Sequence, residues 1–495
     1  MLGPRSSIVS ASCLTLGLLL PAVARADEIL IEADQSTRPP DQRARRVHGE
    51  FRLGARAGFL VDDPFFSVDP SLSFDLRDIT PLQFRLGADI RLRMVDLDPE
   101  QDQVIRGTDW DEPGDYVAIL QALQYIDSFA FGRRGQVALD LRVGGLARVQ
   151  LGHGSVVGGY ANSLDVDRRR TGVDFVSRVE GELLDQVAGV ELGLLIADLA
   201  MQQPLGARLA FDWASAGLGF TVVGDPLAPR TVAASVSGDA LAVDRQNRID
   251  ATGDAGVVAA GVDLSYTFYD SWRYWITPYL DLNTLAGLGS GLHLGLSAEF
   301  ALGRRRAVML GFAAEFTYGS SSYDPVYFDV FYTMQRSQGE FIARADQVPT
   351  GYGALATTKY GFVALHDLGG PGGHGVIRFA HTDGAFAETG YRYRPGPQGH
   401  TWETRVGVEL PEVSLSFLHA HRGELGFDII EPRGSLVSFD LLVPVVRFLD
   451  VSITAGYLYA TRRATGASGA AGVASSGFVG GAAVVLAGVA GRVPW

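Results

Sequence analysis

Apolar and polar residues alternate along this chain with a period of two. Phe84, Leu86, Ala88, Ile90, Leu92 and Met94 interleave with Arg85, Gly87, Asp89, Arg91, Arg93 and Val95. The same beat returns over 137–151, 292–302, 308–318, 402–410 and 451–459. A period of two sends successive side chains to opposite faces of a strand. One oily face and one face rich in Arg, Asp and Glu require hydrocarbon on one side and water on the other, as in a transmembrane β-barrel. The pattern predicts an all-β fold, a single large antiparallel up-and-down transmembrane barrel.

Strand candidates follow one another from 51–60 to 477–490, among them 82–95, 115–127, 136–151, 187–197, 325–334 and 356–366, with Gly, Pro, Asp and Asn between them. Single-chain bacterial barrels have even strand numbers, so about 18 strands are expected, within 16–20. Tight connections at 303–306, Pro411 and Asp450 contrast with long ones at 96–114, 224–254 and 335–355. That asymmetry separates periplasmic turns from outer loops.

Residues 1–26 read as a secretory signal peptide: Arg5, an apolar core over 8–20, then Ala24, Arg25 and Ala26 as the cleavage signal. Residues 27–50, with Pro39, Pro40, Arg43, Arg45 and Arg46, read as a flexible periplasmic arm, and 51–495 as the barrel. Cys13 is the only cysteine and falls in the leader, which leaves no disulfide framework. The stretch 187–201 is broken by Glu191 and Asp198 and is too short for a membrane helix. The 61 glycines suit turns and strand kinks. A net charge of −14 without a basic block argues against a nucleic-acid partner. Lys359 is the only lysine.

With the apolar face toward lipid, Arg85, Asp89, Arg91, Arg93, Asp140, Arg142, Arg148, Gln150, His293, Ser297, Glu299, Glu315, Thr317, Glu403, Arg405 and Glu409 face the lumen. An Arg facing lipid at the midplane would cost roughly 2–4 kcal/mol, which fixes this orientation. Paired charges along a solvated wall are the plain reading, and segregated arcs that filter solutes are the functional one. Trp272, Tyr274, Trp275 and Tyr279, and Tyr323, Tyr327, Phe328, Phe331 and Tyr332, are expected as interfacial girdles. Acidic residues over 96–115 suit solvated loops or divalent bridges to lipopolysaccharide phosphates rather than an EF-hand. The nine histidines are scattered, and His419 with His421 is too little for a metal site. No cofactor is expected.

Trp495, preceded at alternate positions by Val493, Gly491, Val489 and Ala487, resembles the C-terminal strand signature of outer-membrane proteins. That resemblance implies insertion by barrel-assembly machinery. Leu151, Gly152, His153, Gly154 and Ser155, continuing through Tyr160, Asn162, Asp165 and Arg170 to Gly172, resemble a segment of uncharacterised porin-like outer-membrane barrels of Gram-negative bacteria. This implies location and fold, without a substrate. The same His-x-Ser element with a nearby Asn also resembles that of outer-membrane phospholipases and lipid A deacylases. Ser155 as nucleophile would need His153 as base and Asn162 to orient it. Extending the 137–151 register puts His153 and Ser155 on the lipid face. Val156 departs from that family, which has Asn after the serine.

The expected function is a porin-like channel for passive diffusion of small polar solutes, not an enzyme. The alternatives are a barrel acyl hydrolase and a structural or adhesive barrel with a plugged lumen.

Overall fold

The computed structural model describes residues 47–494 apart from 61–62, 95–104, 106–109, 111, 132–134, 165–169, 185–186, 202, 214, 233–239, 243–250, 271–272, 304–306, 337–340, 343–355, 411, 424–433, 447, 462–472 and 476–478. The leader, most of the expected arm, Trp272, Trp495 and most of the acidic run over 96–115 lie outside the described residues.

Twenty antiparallel strands close into one barrel, the upper end of the expected range. The first wall strand, His48–Leu60, pairs on one side with Asp63–Asp75 and on the other with the last, Val479–Pro494. No edge is left, which is what hydrocarbon demands of a sheet, because no solvent is there to pair with backbone amides and carbonyls. Among the described residues no helix is long and apolar enough to cross a membrane.

Period two holds around the wall. Leu292, Leu294 and Leu296 point outward from Gly289–Leu302, while His293, Gly295 and Ser297 point inward. Phe312, Phe316 and Tyr318 are exposed outside Val308–Gly319, and Glu315 and Thr317 turn inside. Leu192, Leu209, Phe220, Val262, Leu282, Ile377, Val485 and Val489 extend the outer apolar belt around the barrel.

The connections sort by end. Turns beside the chain termini are short, such as those from Asp75 to Leu82, Leu302 to Val308 and His381 to Ala385. The opposite end carries the long ones, from Gly144 to Gly172 and from Gly319 to Gly370.

Five expected strands change. The 82–95 segment divides into Leu82–Gly87 and Ile90–Arg93, both paired with Asp63–Asp75 and in the same phase. The 115–127 segment opens with a short helix, Pro113–Val117, before the wall strand Leu120–Phe131. The 136–151 strand stops at Gly144. Beyond it the chain turns into the lumen and forms a separate hairpin, Val149–Leu151 against Val157–Tyr160. The 325–334 and 356–366 segments are not wall strands, and they contribute the short helices Tyr332–Gln335 and Lys359–Leu365 to the second long connection.

The inner wall also departs from strict polarity. Leu195, Val223, Val257, Ala259 and Leu285 on one side, and Leu418, Ala420 and Leu436 on another, are buried although they face inward. Folded loops cover them. Leu294→Arg, near the middle of its strand on the outer face, should destabilise the barrel by about 2–4 kcal/mol in a urea titration in lipid vesicles.

Candidate functional site

The two long loops meet inside the barrel and are stitched by backbone hydrogen bonds. Val326 N donates to Ser155 O (3.0 Å), Phe328 N to Val156 O (3.2 Å) and Gly158 N to Phe328 O (3.2 Å). Val156, Val157, Tyr160, Tyr323, Tyr327, Phe328, Tyr332, Phe362 and Val363 pack against the apolar wall positions Leu195, Val223, Val257, Ala259 and Leu285. A second cluster joins Val330, Phe331 and Met334 to Leu418, Ala420 and Leu436. The expected girdle residues Tyr323, Tyr327, Phe328, Phe331 and Tyr332 are therefore core residues of an internal constriction, all nearly inaccessible. The expected girdle is not formed by this segment, because it is not a wall strand and its aromatics turn into the lumen. Tyr279 likewise faces inward.

Ionic anchors hold this constriction. Asp329 faces Lys359 Nζ (3.3 Å) and Arg392 Nη2 (3.4 Å), and pairs closely with Arg422. Asp324 accepts from Arg394 Nε (2.8 Å) and lies 3.7 Å from Lys359 Nζ. Burial alone would raise the Asp329 carboxyl, but Arg422, Lys359 and Arg392 hold it well below the ordinary carboxylate range. Burial lowers the Lys359 ammonium to about 8, with Asp329 opposing that shift. The ammonium also lies over the Tyr327 ring at 4.9 Å. Asp225, fully buried, accepts from Tyr332 Oη (2.7 Å) and pairs with Arg336 Nε (2.5 Å).

Most of the expected luminal residues sit on the inner wall in pairs. Arg85 donates to Ser73 Oγ (3.0 Å), and Asp89 lies between Arg56 (3.4 Å) and Arg91 (3.5 Å). Arg93 stands across from Phe65. Asp140 pairs with Arg142 (2.8 Å) and Glu403 with Arg405 Nε (2.6 Å). Glu299 lies on the inward phase of its strand, and Glu409 approaches the turn at Gly384. His293 bridges Glu315 (Nδ1, 2.8 Å) and Tyr323 Oη (Nε2, 2.6 Å). Arg148 and Gln150 belong to the inward loop, not to the wall. Arg148 reaches across to Glu388, while Gln150 donates to Gly152 O (3.0 Å). Arg405 Nη1 donates to Ala147 O (2.7 Å), fixing the same loop.

His153 and Ser155 lie inside the barrel, not on its lipid face. The strand that would have carried the register outward ends at Gly144, and the loop turns in. Gly152 (φ 60°) and Gly154 (φ 88°) adopt left-handed backbone on either side of His153. A side chain at Gly152 would also strike the Arg208 guanidinium. His153 Nδ1 lies 2.8 Å from Asp281 Oδ1, and its ring stacks on Tyr279. No hydrogen bond joins His153 to Ser155 among the described residues. Asn162 is occupied with backbone, accepting from Leu146 N (2.6 Å) and donating to Ala197 O (2.5 Å). Ser155 is buried. The hydrolase constellation is not assembled here.

Sequence reasoning missed Asp263, Asp281, Asp324 and Asp329. The first two are direct cross-strand neighbours, legible once strands 251–266 and 274–285 are read as a hairpin. The other two carry no periodic signal.

No protein-family model and no curated protein matches the chain. Solved structures similar to it include a mutant of the ferric enterobactin receptor of Pseudomonas aeruginosa, 10% identical, covering 92% of this chain and 81% of that one with a TM-score of 0.34. Acinetobacter baumannii OccAB4 is 11% identical, over 92% of this chain and 100% of that one, with a TM-score of 0.32. Pseudomonas aeruginosa OccK10 is 12% identical, over 90% and 98%, with a TM-score of 0.32.

Asp329→Ala removes the carboxylate shared by Arg422, Arg392 and Lys359, leaves Lys359 only Asp324, and should cost the constriction about 3–5 kcal/mol. Limited proteolysis should then cut within 320–369 while the wall keeps its heat-modifiable mobility. A carboxyl whose folded pKa is depressed gives stability that is present above its unfolded value and lost as pH falls toward the folded one. Loop protection in the parent protein should thus persist at pH 5 and decline only below about 4.

Proposed function

We propose that this chain is an outer-membrane, porin-like channel through which small polar solutes diffuse passively. The observation that carries the proposal is the combination of a closed wall, apolar outside and ionic inside, with two long loops folded into its lumen. A wide barrel with a charged interior holds water, and an internal constriction narrows the path enough for charge to discriminate among solutes. The wall residues Arg85, Asp89, Arg91, Arg93, Asp140, Arg142, His293, Glu299, Glu315, Glu403, Arg405 and Glu409, with Arg148 from the loop, line that path. Arg378, Glu388, Arg148, Arg405 and Glu403 form a mixed-charge group where loop meets wall. In this reading the leader is removed near Ala26, Trp495 marks the segment for barrel-assembly machinery, and the outer loops meet lipopolysaccharide.

The apolar packing between the loops and both sides of the wall favours a second reading, a structural or adhesive barrel whose lumen is plugged. Planar-bilayer recordings of the refolded protein separate the two. The channel reading expects discrete conductance steps, enlarged in Phe328→Asp, which removes apolar packing from the constriction. Arg378→Glu should shift ion preference toward cations. Absence of steps from both the parent and Phe328→Asp would leave the plugged barrel.

A further inference from the structure

The inner wall brings together a group that neither the channel nor the plugged-barrel reading uses. Asp263 and Asp281 are directly opposite on neighbouring strands, a like-charge pairing that is unfavourable unless a cation intervenes. His153 Nδ1 descends onto them from the loop, 2.8 Å from Asp281 Oδ1 and 4.0 Å from Asp263 Oδ1. One ligand atom from each of the three lies within 4.8 Å of the others. Among the described residues no other group of His, Cys, Asp and Glu meets that condition.

Arg208 answers Asp263, with Nη2 donating to Oδ1 at 3.0 Å and Nη1 close to Oδ2. Its Nε also reaches Glu191 (3.4 Å), which Arg178 joins at 2.6 Å. Arg208 and Arg178 are thus engaged by Asp263 and Glu191, and among the described residues no guanidinium pairs with Asp281. Asp281 is 1% exposed, and its Oδ2 is buried without a hydrogen-bond partner. A carboxylate so placed is a strong acceptor awaiting a cation.

We propose that His153, Asp263 and Asp281 bind one divalent first-row transition-metal ion of the Zn²⁺ type, pinning the inward loop to the wall. One imidazole nitrogen and two carboxylate oxygens suit that class, with water in the remaining position. Ligand distances of about 2.0–2.2 Å put tetrahedral ligand atoms roughly 3.4 Å apart. The 2.8 Å pair opens and the 4.0 Å pair closes by about half an ångström each. Asp281 Oδ2 offers an alternative donor, and Asp263 keeps its bond to Arg208 while ligating. The proposal stands or falls independently of conduction.

The refolded protein in detergent is titrated with ZnCl₂ by calorimetry, and retained metal is counted by mass spectrometry. One ion per chain is expected, with at least a tenfold loss of affinity in both His153→Gln and Asp281→Asn. His153→Gln sits in a loop and preserves the wall, which heat-modifiable mobility checks. As a second measure on the unaltered protein, bound Cu²⁺ should show electron-spin coupling to a single imidazole nitrogen, lost in His153→Gln. No retained ion, undiminished affinity in His153→Gln, or a Cu²⁺ spectrum without that nitrogen would overturn the assignment.

Discussion

The ladder between the first and last wall strands is the bond on which the rest of the structure depends. Phe51 stands across from Val493 and Ala57 from Ala487, and without that seam both strands would offer unpaired amides to hydrocarbon. Closure defines an inside and an outside. The two-residue alternation is useful only because that distinction exists, since it assigns Leu294 to lipid and His293 to the interior from adjacent positions.

Inside, two kinds of force act on different parts of the wall. Along the first strands the wall is ionic, and Arg56, Asp69 and Asp89 answer one another across strands. Toward the loop end, apolar wall positions such as Val257 and Leu285 give the long connections a surface on which to pack. Asp329 then supplies what apolar packing lacks, a defined register, because three cations from two wall strands and a helix converge on one carboxylate. Polar anchors of this kind select one arrangement among many apolar ones.

The wall was largely legible in the sequence, and the interior was not. Strands such as 289–302 and 400–410 announce themselves because a lipid face and a water face impose opposite chemistries on neighbouring positions. The 145–171 and 320–369 connections carry no such period, and their fold is set by distant residues. Tyr327 and Phe328 look like interfacial aromatics until the wall positions that receive them are known. A clue does exist in Val257, Val258 and Ala259, apolar on both faces, which implies that something dry lies on the inner side. His153 shows the same dependence. Its glycine neighbours signal a turn, but nothing local says that the turn leads to Asp281.

Lys359, the single lysine, is 1% exposed beneath the tyrosines of the constriction. Amine-directed reagents therefore have no side-chain target on the folded molecule. Carbodiimide-free labelling with an activated ester would modify this position only in chains whose interior has opened. Acylation located at Lys359, as distinct from the α-amino terminus, would thus report the occupancy of the open form, with no probe engineered into the barrel.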